Sequence, residues 1–261
     1  MNKFVNYHTH TPRCHHAEGA EEEYVQAAIA NGFSTLGFSD HGAWPFANGF
    51  RSRMRMTVQE RAGYEQTVRE LAQRYKGQIN IRLGYEYEYF PKYLPYLREV
   101  RAQVDYLLLG NHYELDEPSG DYFGAATTAR EIRRYVECTI AGMETGLYDC
   151  LAHPDLFLNE YPAWDGAAER ASRMLCQAAA RLRLPLEYNL YGVDKRRRHQ
   201  SAGLGYPCDA FWRVAVQSDC DVVIGCDAHI PAMLSRAQYQ EAVDHLMRLG
   251  CRYTTMDALR K

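Results

Sequence analysis

The segment Asp221-Val-Val-Ile-Gly-Cys-Asp-Ala-His229, followed after a short turn by Ser235-Arg-Ala-Gln-Tyr-Gln-Glu-Ala-Val-Asp-His-Leu-Met-Arg-Leu-Gly250, sets the pattern from which the fold is read. Asp221 to Asp227 is a brief β-rich apolar run of strand length. From Ser235 to Leu249 the period changes. Tyr239, Ala242, Val243, Leu246 and Leu249 recur at three- and four-residue steps, Ser235 can cap the start, and Gly250 stands where a C-terminal cap belongs. Upstream the same alternation repeats, with strand-like runs at Lys3 to Thr9, Thr35 to Asp40, Asn80 to Glu86, Tyr106 to Gly110, Asp149 to His153 and Leu186 to Leu190, and a weak last one at Arg252 to Thr255. About seven helices lie between them, one ending at Gly32. Strands separated by crossover helices imply a parallel sheet, and seven or eight such units favour a closed or distorted barrel over an open sheet. No Pro/Gly/Ser linker, low-complexity tract or repeat breaks the alternation, so residues 1–261 read as one α/β domain. The long turns, Gly42 to Met56, Glu114 to Thr127 and Gly192 to Pro207, are the expected walls of a site.

The composition, with 46% hydrophobic and 24% charged residues, suits a globular core and excludes disordered, collagen-like and coiled-coil classes. A net charge of -3 lacks the positive balance of a phosphate-backbone binder, so no nucleic-acid partner is expected. The eight cysteines include no CxxC pair and read as reduced thiols. With neither an apolar leader nor an 18-residue apolar run, the expectation is a cytoplasmic protein with no membrane partner.

Eight of the ten histidines fall at or just beyond the end of a predicted strand. The first strand ends His8-Thr9-His10, with both imidazoles on one face at a period of two. His15 and His16 follow in the next loop. The second strand ends Ser39-Asp40-His41, the third reaches Glu86, the fourth leads to His112, the fifth to His153-Pro-Asp155, and the seventh to Asp227-Ala-His229. In a parallel barrel those ends converge on one face, where active sites of such folds sit. Neutral imidazoles and carboxylates hold divalent zinc, iron and manganese, and a set this large implies two or three ions bridged by Glu86 or Asp227. Such clusters lower the pKa of a bound water and clamp both sides of a displacement at phosphorus. His199, in the basic segment 195–199, reads equally as a solvated loop residue or a substrate contact, His245, in the last helix, as a surface or capping residue, and Cys14 and Cys226 as thiols rather than ligands.

In this order the motifs resemble the polymerase-and-histidinol-phosphatase (PHP) family of metal-dependent phosphoesterases. Cys14-His-His16-Ala-Glu-Gly19, Ser52-Arg53-Met54-Arg55 and Tyr206-Pro207 look like its monofunctional histidinol-phosphate phosphatases. The resemblance implies a distorted (β/α)7 TIM-like barrel with three divalent metal ions (zinc, iron or manganese). It assigns the first ion to His8, His10, Glu86 and Asp227, the second to Glu86, His112 and His153, and the third to His16, His41 and His229. In similar phosphatases a basic residue follows the fifth-strand motif, whereas here Leu156 does. The usual sixth-strand Asn-Thr-x-Gly-x-Arg reads Asn189-Leu-Tyr-Gly192-Val-Asp194, with Lys195 next.

The expected partner is therefore a small phosphorylated substrate, L-histidinol phosphate, attacked in line by hydroxide held between metals. Arg53, Arg55, Lys195 and Arg197 are the candidate phosphate contacts. Asp40 is the candidate proton-transfer residue, with support of His41 as its other reading. Other phosphoesters on the same scaffold are the nearest alternative. A metal amidohydrolase is disfavoured because no strand end offers a bridging lysine, and a polymerase-associated module because the chain is slightly acidic.

Overall fold

The computed structural model describes residues 4–47 and 49–259, so Lys3 at the predicted start of the first strand, and Asn48 in the loop Gly42 to Met56, lie outside the described residues. Among the described residues the strands are β1 (Phe4–Asn6), β2 (Phe33–Phe38), β3 (Asn80–Tyr87), β4 (Tyr106–Leu109), β5 (Cys150–Leu151), β6 (Leu186–Asn189), β7 (Asp221–Gly225) and β8 (Arg252–Tyr253). They form one sheet in sequence order, each pair parallel. The helices are α1 (Glu21–Ala30), α2 (Arg61–Arg74), α3 (Leu94–Arg101), α4 (Ala129–Glu144), α5 (Gly166–Leu182), α6 (Leu190–Arg197), α7 (Asp209–Gln217), α8 (Arg236–Leu249) and α9 (Met256–Leu259). The sheet curls until the chain beyond β1 meets the chain beyond β7. A parallel bridge joins Thr9 to Ala228, where the His10 amide donates to Ala228 O at 2.9 Å and the Ala228 amide to His8 O at 3.2 Å. The seven-stranded distorted barrel is thus realised, with β8 as a short addition to the start of β7.

Period-two alternation sorts the side chains. In β3 and β4, Leu83, Tyr85, Leu107 and Leu109 join the large core under the helices. Val5, Tyr7, Tyr106, Leu108, Cys150, Ala152 and Val223 fill the barrel interior with Met256 of α9. Two inward glycines leave room for carboxylates: a Cβ on Gly110 would lie 2.0 Å from Glu86 Oε1, and one on Gly225 1.7 Å from Glu187 Oε1. On the outside, α8 buries Tyr239, Ala242, Val243 and Leu246; Ser235 Oγ accepts the Gln238 amide and Gly250 turns the C-terminus at φ 84°, as the sequence predicts.

Two expectations change. Most observed strands stop short of the predicted runs, because several strand ends bend away to form the site: His153 and Asp227 sit at φ 29° and 48°, in the left-handed region, whereas β3 runs one residue further, to Tyr87. The predicted turn Gly192 to Pro207 starts as helix α6. Asn189 Oδ1 accepts the Gly192 amide at 2.9 Å and caps it, and the basic run 195–197 lies in its last turn, where cations complement the helix dipole.

Candidate metal centre

Glu86 projects from β3 into the middle of the barrel mouth. His153 Nε2 lies 2.7 Å and His112 Nε2 3.4 Å from its Oε1, while His41 Nδ1 lies 2.9 Å and His8 Nε2 3.5 Å from its Oε2. Asp227 closes the opposite side, with Oδ1 3.0 Å from His10 Nε2 and 3.5 Å from His8 Nε2. The His229 ring stacks on His10 with centroids 4.2 Å apart and on His16 at 4.7 Å. All nine predicted ligand residues therefore meet at the barrel mouth.

The rings are aimed by their far nitrogens. His8 Nδ1 is 2.8 Å from Glu187, His112 Nδ1 is 3.1 Å from Glu88, and His10 Nδ1 is 3.4 Å from Asp40. His16 Nδ1 and His229 Nδ1 lie 2.6 and 2.9 Å from the carbonyls of Cys14 and Asp227. Those acceptors can only receive, so each of these rings carries a proton on Nδ1 and points its Nε2 inward, the arrangement of metal-ligating histidines. As a result His8 Nε2 and His10 Nε2 face each other at 3.1 Å, and a proton or a cation must lie against them. Glu86 Oε2 and His41 Nδ1 are buried and, despite their proximity, out of line for a hydrogen bond. Orphaned buried atoms of this kind fit bound cations.

Burial opposes ionisation throughout the site, and the acids overcome it. It would raise the Glu86 carboxyl, but His112, His8 and His41 hold it well below the usual range. It would lower His10, yet hydrogen bonds to Asp227 and Asp40 raise that ring to about 9. His229 obeys burial and the neighbouring His10, falling to about 3. Groups that could each offer one atom to a common cation are His8, His10 and Asp227; His10, His41 and His229; and His41, Glu86 and His112. The first lies within the set the resemblance assigns to one ion, whereas His41 belongs to groups on both sides, with His10 and His229 and with Glu86 and His112, and its Nδ1 lies 2.9 Å from Glu86. Cys14 lies within reach of His16 and His229, but burial pushes its thiol up to about 12 and keeps it protonated.

The other predicted residues separate. Asp40 is buried behind the ligands and accepts from the amides of His41 and Thr11, the Thr11 hydroxyl and His10. With its acceptor sites filled from the protein, it has no free face for a leaving group. Lys195 Nζ stands 5.9 Å from the Tyr191 ring and 5.7 Å from the Tyr206 ring, and those rings lie 5.0 Å from His229 and 6.1 Å from His153. It is thus a cation at the site's edge. Arg197 points outward to Glu241 at 2.7 Å, and Arg53 is exposed on the loop after β2. Arg55, expected at a phosphate, is buried with Nε on Glu117 and both Nη atoms on Glu88. His245 pairs with Asp209, outside the site.

Two residues escaped the sequence reading, Glu187 and Glu88. Their signal is the period of two: Glu187 shares the inward face of β6 with Asn189, and Glu88 follows Glu86 by two positions.

A family model described as the PHP domain matches residues 6–189. A "Probable histidinol-phosphatase" of Deinococcus radiodurans is 28% identical over 265 residues, covering 98% of this chain and 97% of that protein. The histidinol-phosphatase of Bacillus subtilis is 26% identical over 121 residues, covering 41% of this chain and 45% of that one. In fold, the chain is similar to the Lactococcus lactis histidinol phosphate phosphatase solved with zinc, L-histidinol and phosphate, at TM-score 0.73 and 18% identity over 96% of this chain and 95% of that one. The matched stretch supplies every predicted ligand except Asp227 and His229, and the fold brings those two to the same mouth; the chain belongs to the PHP domain family.

Proposed function

We propose that this chain hydrolyses a small phosphate monoester, L-histidinol phosphate, to the alcohol and inorganic phosphate. The observation that carries the reading is the inward-facing ring of Nε2 atoms around Glu86 and Asp227, with Nδ1 atoms tied outward to buried acids and carbonyls. That donor set fits divalent zinc, iron or manganese. In our reading His8, His10, Glu86 and Asp227 hold one ion, Glu86, His112 and His153 a second, and His16, His41 and His229 a third. When bound, such ions lower the pKa of a water and offset charge on phosphoryl oxygens.

The protein's own groups do the rest. Glu86 and Asp227 keep the mouth negative and ready for cations. Asp40 holds His10 and the His41 backbone in place, which makes it a positioning residue here rather than a proton donor. Lys195 meets the ester's negative charge at the edge, and Arg53 is the second exposed candidate. Tyr191 and Tyr206 flank the approach and offer flat surfaces to the organic half of the substrate. The eight free thiols fit a reducing, cytoplasmic setting; among the described residues no helix is long and apolar enough to cross a membrane.

Because Arg55 and Arg197 are engaged elsewhere, the phosphate clamp rests on few cations, which keeps other small phosphoesters as the second reading. The test is phosphate release by metal-reconstituted protein from L-histidinol phosphate, beside nucleotide, sugar and cyclic phosphoesters, with His10→Ala as the inactive control. The expected result is preference for histidinol phosphate at kcat/KM of about 10⁴ M⁻¹s⁻¹ or above, lost on chelation and restored by added metal. Poor turnover of histidinol phosphate beside good turnover of another ester would overturn the substrate and keep the chemistry.

A further inference from the structure

Arg55 lies on the loop between β2 and α2, yet its side chain is 1% exposed. Its Nη2 donates to Glu88 Oε1 at 2.6 Å and its Nη1 to Glu88 Oε2 at 3.0 Å and to Gly42 O at 3.2 Å. Glu88 also accepts the Trp44 indole N–H at 2.9 Å and His112 Nδ1–H at 3.1 Å, so all of its roughly four lone-pair sites are filled. On the other side Arg55 Nε donates to Glu117 Oε2 at 2.7 Å, and Glu117 takes the Ser52 hydroxyl at 2.7 Å. One guanidinium thus joins three pieces of backbone: the loop after β2, the chain just beyond β3, and the loop after β4 that carries His112.

We propose that Arg55 is a positioning residue that fixes the His112 imidazole at the centre from behind, through Glu88, and pins the two walling loops to each other, through Glu117. This rests on the metal-centre reading above. A phosphate contact is a poor alternative for this residue, because its three nitrogens already donate to protein acceptors and it faces no open solvent. The physical argument turns on Glu88. The guanidinium grips both Glu88 oxygens, and that grip sets the direction in which Oε1 meets His112 Nδ1–H. Without it the carboxylate is free to turn, and the ring is then no longer held with Nε2 toward Glu86. The outer half of the relay is separable. Removing the Glu117 charge leaves the paired hydrogen bonds between Arg55 and Glu88 intact, and loosens only the loop contact.

The test compares wild type, Arg55→Met, Glu117→Gln and a surface control, Arg173→Met, whose partner is Glu169 on the exposed face of α5. Zinc affinity is measured by competition with a chromophoric chelator, kcat and KM are measured separately, and each protein is melted with and without zinc. In Arg55→Met we expect one class of zinc site to weaken about 10–100-fold with the remaining sites unchanged, together with a raised KM. Glu117→Gln should keep all zinc affinities and raise KM alone, and Arg173→Met should match wild type. Should Arg55→Met fail to fold, Arg55→Lys takes its place: a point charge that holds Glu88 but not Glu117 is expected to behave as Glu117→Gln does. Wild-type zinc affinities in Arg55→Met, even at reduced melting temperature, would assign Arg55 to stability alone and overturn the relay. Wild-type protein that takes up no zinc would overturn the metal-centre reading and the relay with it.

Discussion

Glu187 sits deep in the barrel mouth with three donors converging on it. Oε1 takes His8 Nδ1–H at 2.8 Å, while Oε2 takes the His153 amide at 3.1 Å and the Asn189 amide group at 3.0 Å. Glu187→Gln would turn an NH2 toward donors on one side or the other, leaving buried polar groups face to face. We expect zinc affinity to fall about 10–100-fold with the fold retained, read by chelator competition beside far-ultraviolet circular dichroism. At this scale the proposed ligands were legible and their supports were not. His, Asp and Glu at strand ends announce themselves because an imidazole pair two residues apart has few other uses at a barrel mouth. A glutamate within Leu186-Glu187-Tyr188-Asn189 looks like the solvent face of a half-buried strand, and only closure of the barrel turns that face inward. Arg55 misled for a related reason: nothing local tells a buried arginine from an exposed one, and its partners lie 33 and 62 positions away.

Helix boundaries followed the capping chemistry wherever a cap was present. Asp165 Oδ1 accepts the amides of Ala167 and Ala168, each at 2.9 Å, and starts α5. Asp165→Ala should lower stability by about 1–2 kcal/mol and leave kcat and KM unchanged, as checked by urea unfolding and steady-state kinetics. The helix α6 was read as loop because Leu190–Arg197 is short and polar, with Gly192 in its first turn, so it has little amphipathic period to detect. Its only sequence signal is Asn189, which caps the helix and also donates to Asp227 Oδ2 at 3.1 Å. The same side chain thus serves an element and the site, and that shared use cannot be seen before β6 and β7 are known to be neighbours.

Across the whole molecule, the mouth of the barrel carries the chemistry and the opposite end is sealed by the C-terminal segment. Met256 is buried with Val5, Tyr7, Leu108 and Val223, and Asp257 accepts the hydroxyls of Tyr7 and Thr35. Met256→Ala should lower stability by about 2–5 kcal/mol while zinc stoichiometry stays at the wild-type value, because the proposed ligands all lie at the other end; a melt paired with metal analysis checks both. The alternation of strand and helix was enough to read the parallel barrel. It could not show that a weak last strand and four helical residues would stop the base, since that depends on a cavity whose shape only the assembled sheet defines.

The bridge between Thr9 and Ala228 sets a timetable for synthesis. His8 and His10 leave the ribosome long before Asp227, so these proposed ligands wait for the whole intervening barrel before their partner arrives. Long-range closure of this kind is slow, and until it happens the nascent protein exposes imidazoles and unpaired strand edges together. The proposed cation site therefore stays open through most of the barrel's synthesis, and on that reading loading can finish only after translation has passed His229.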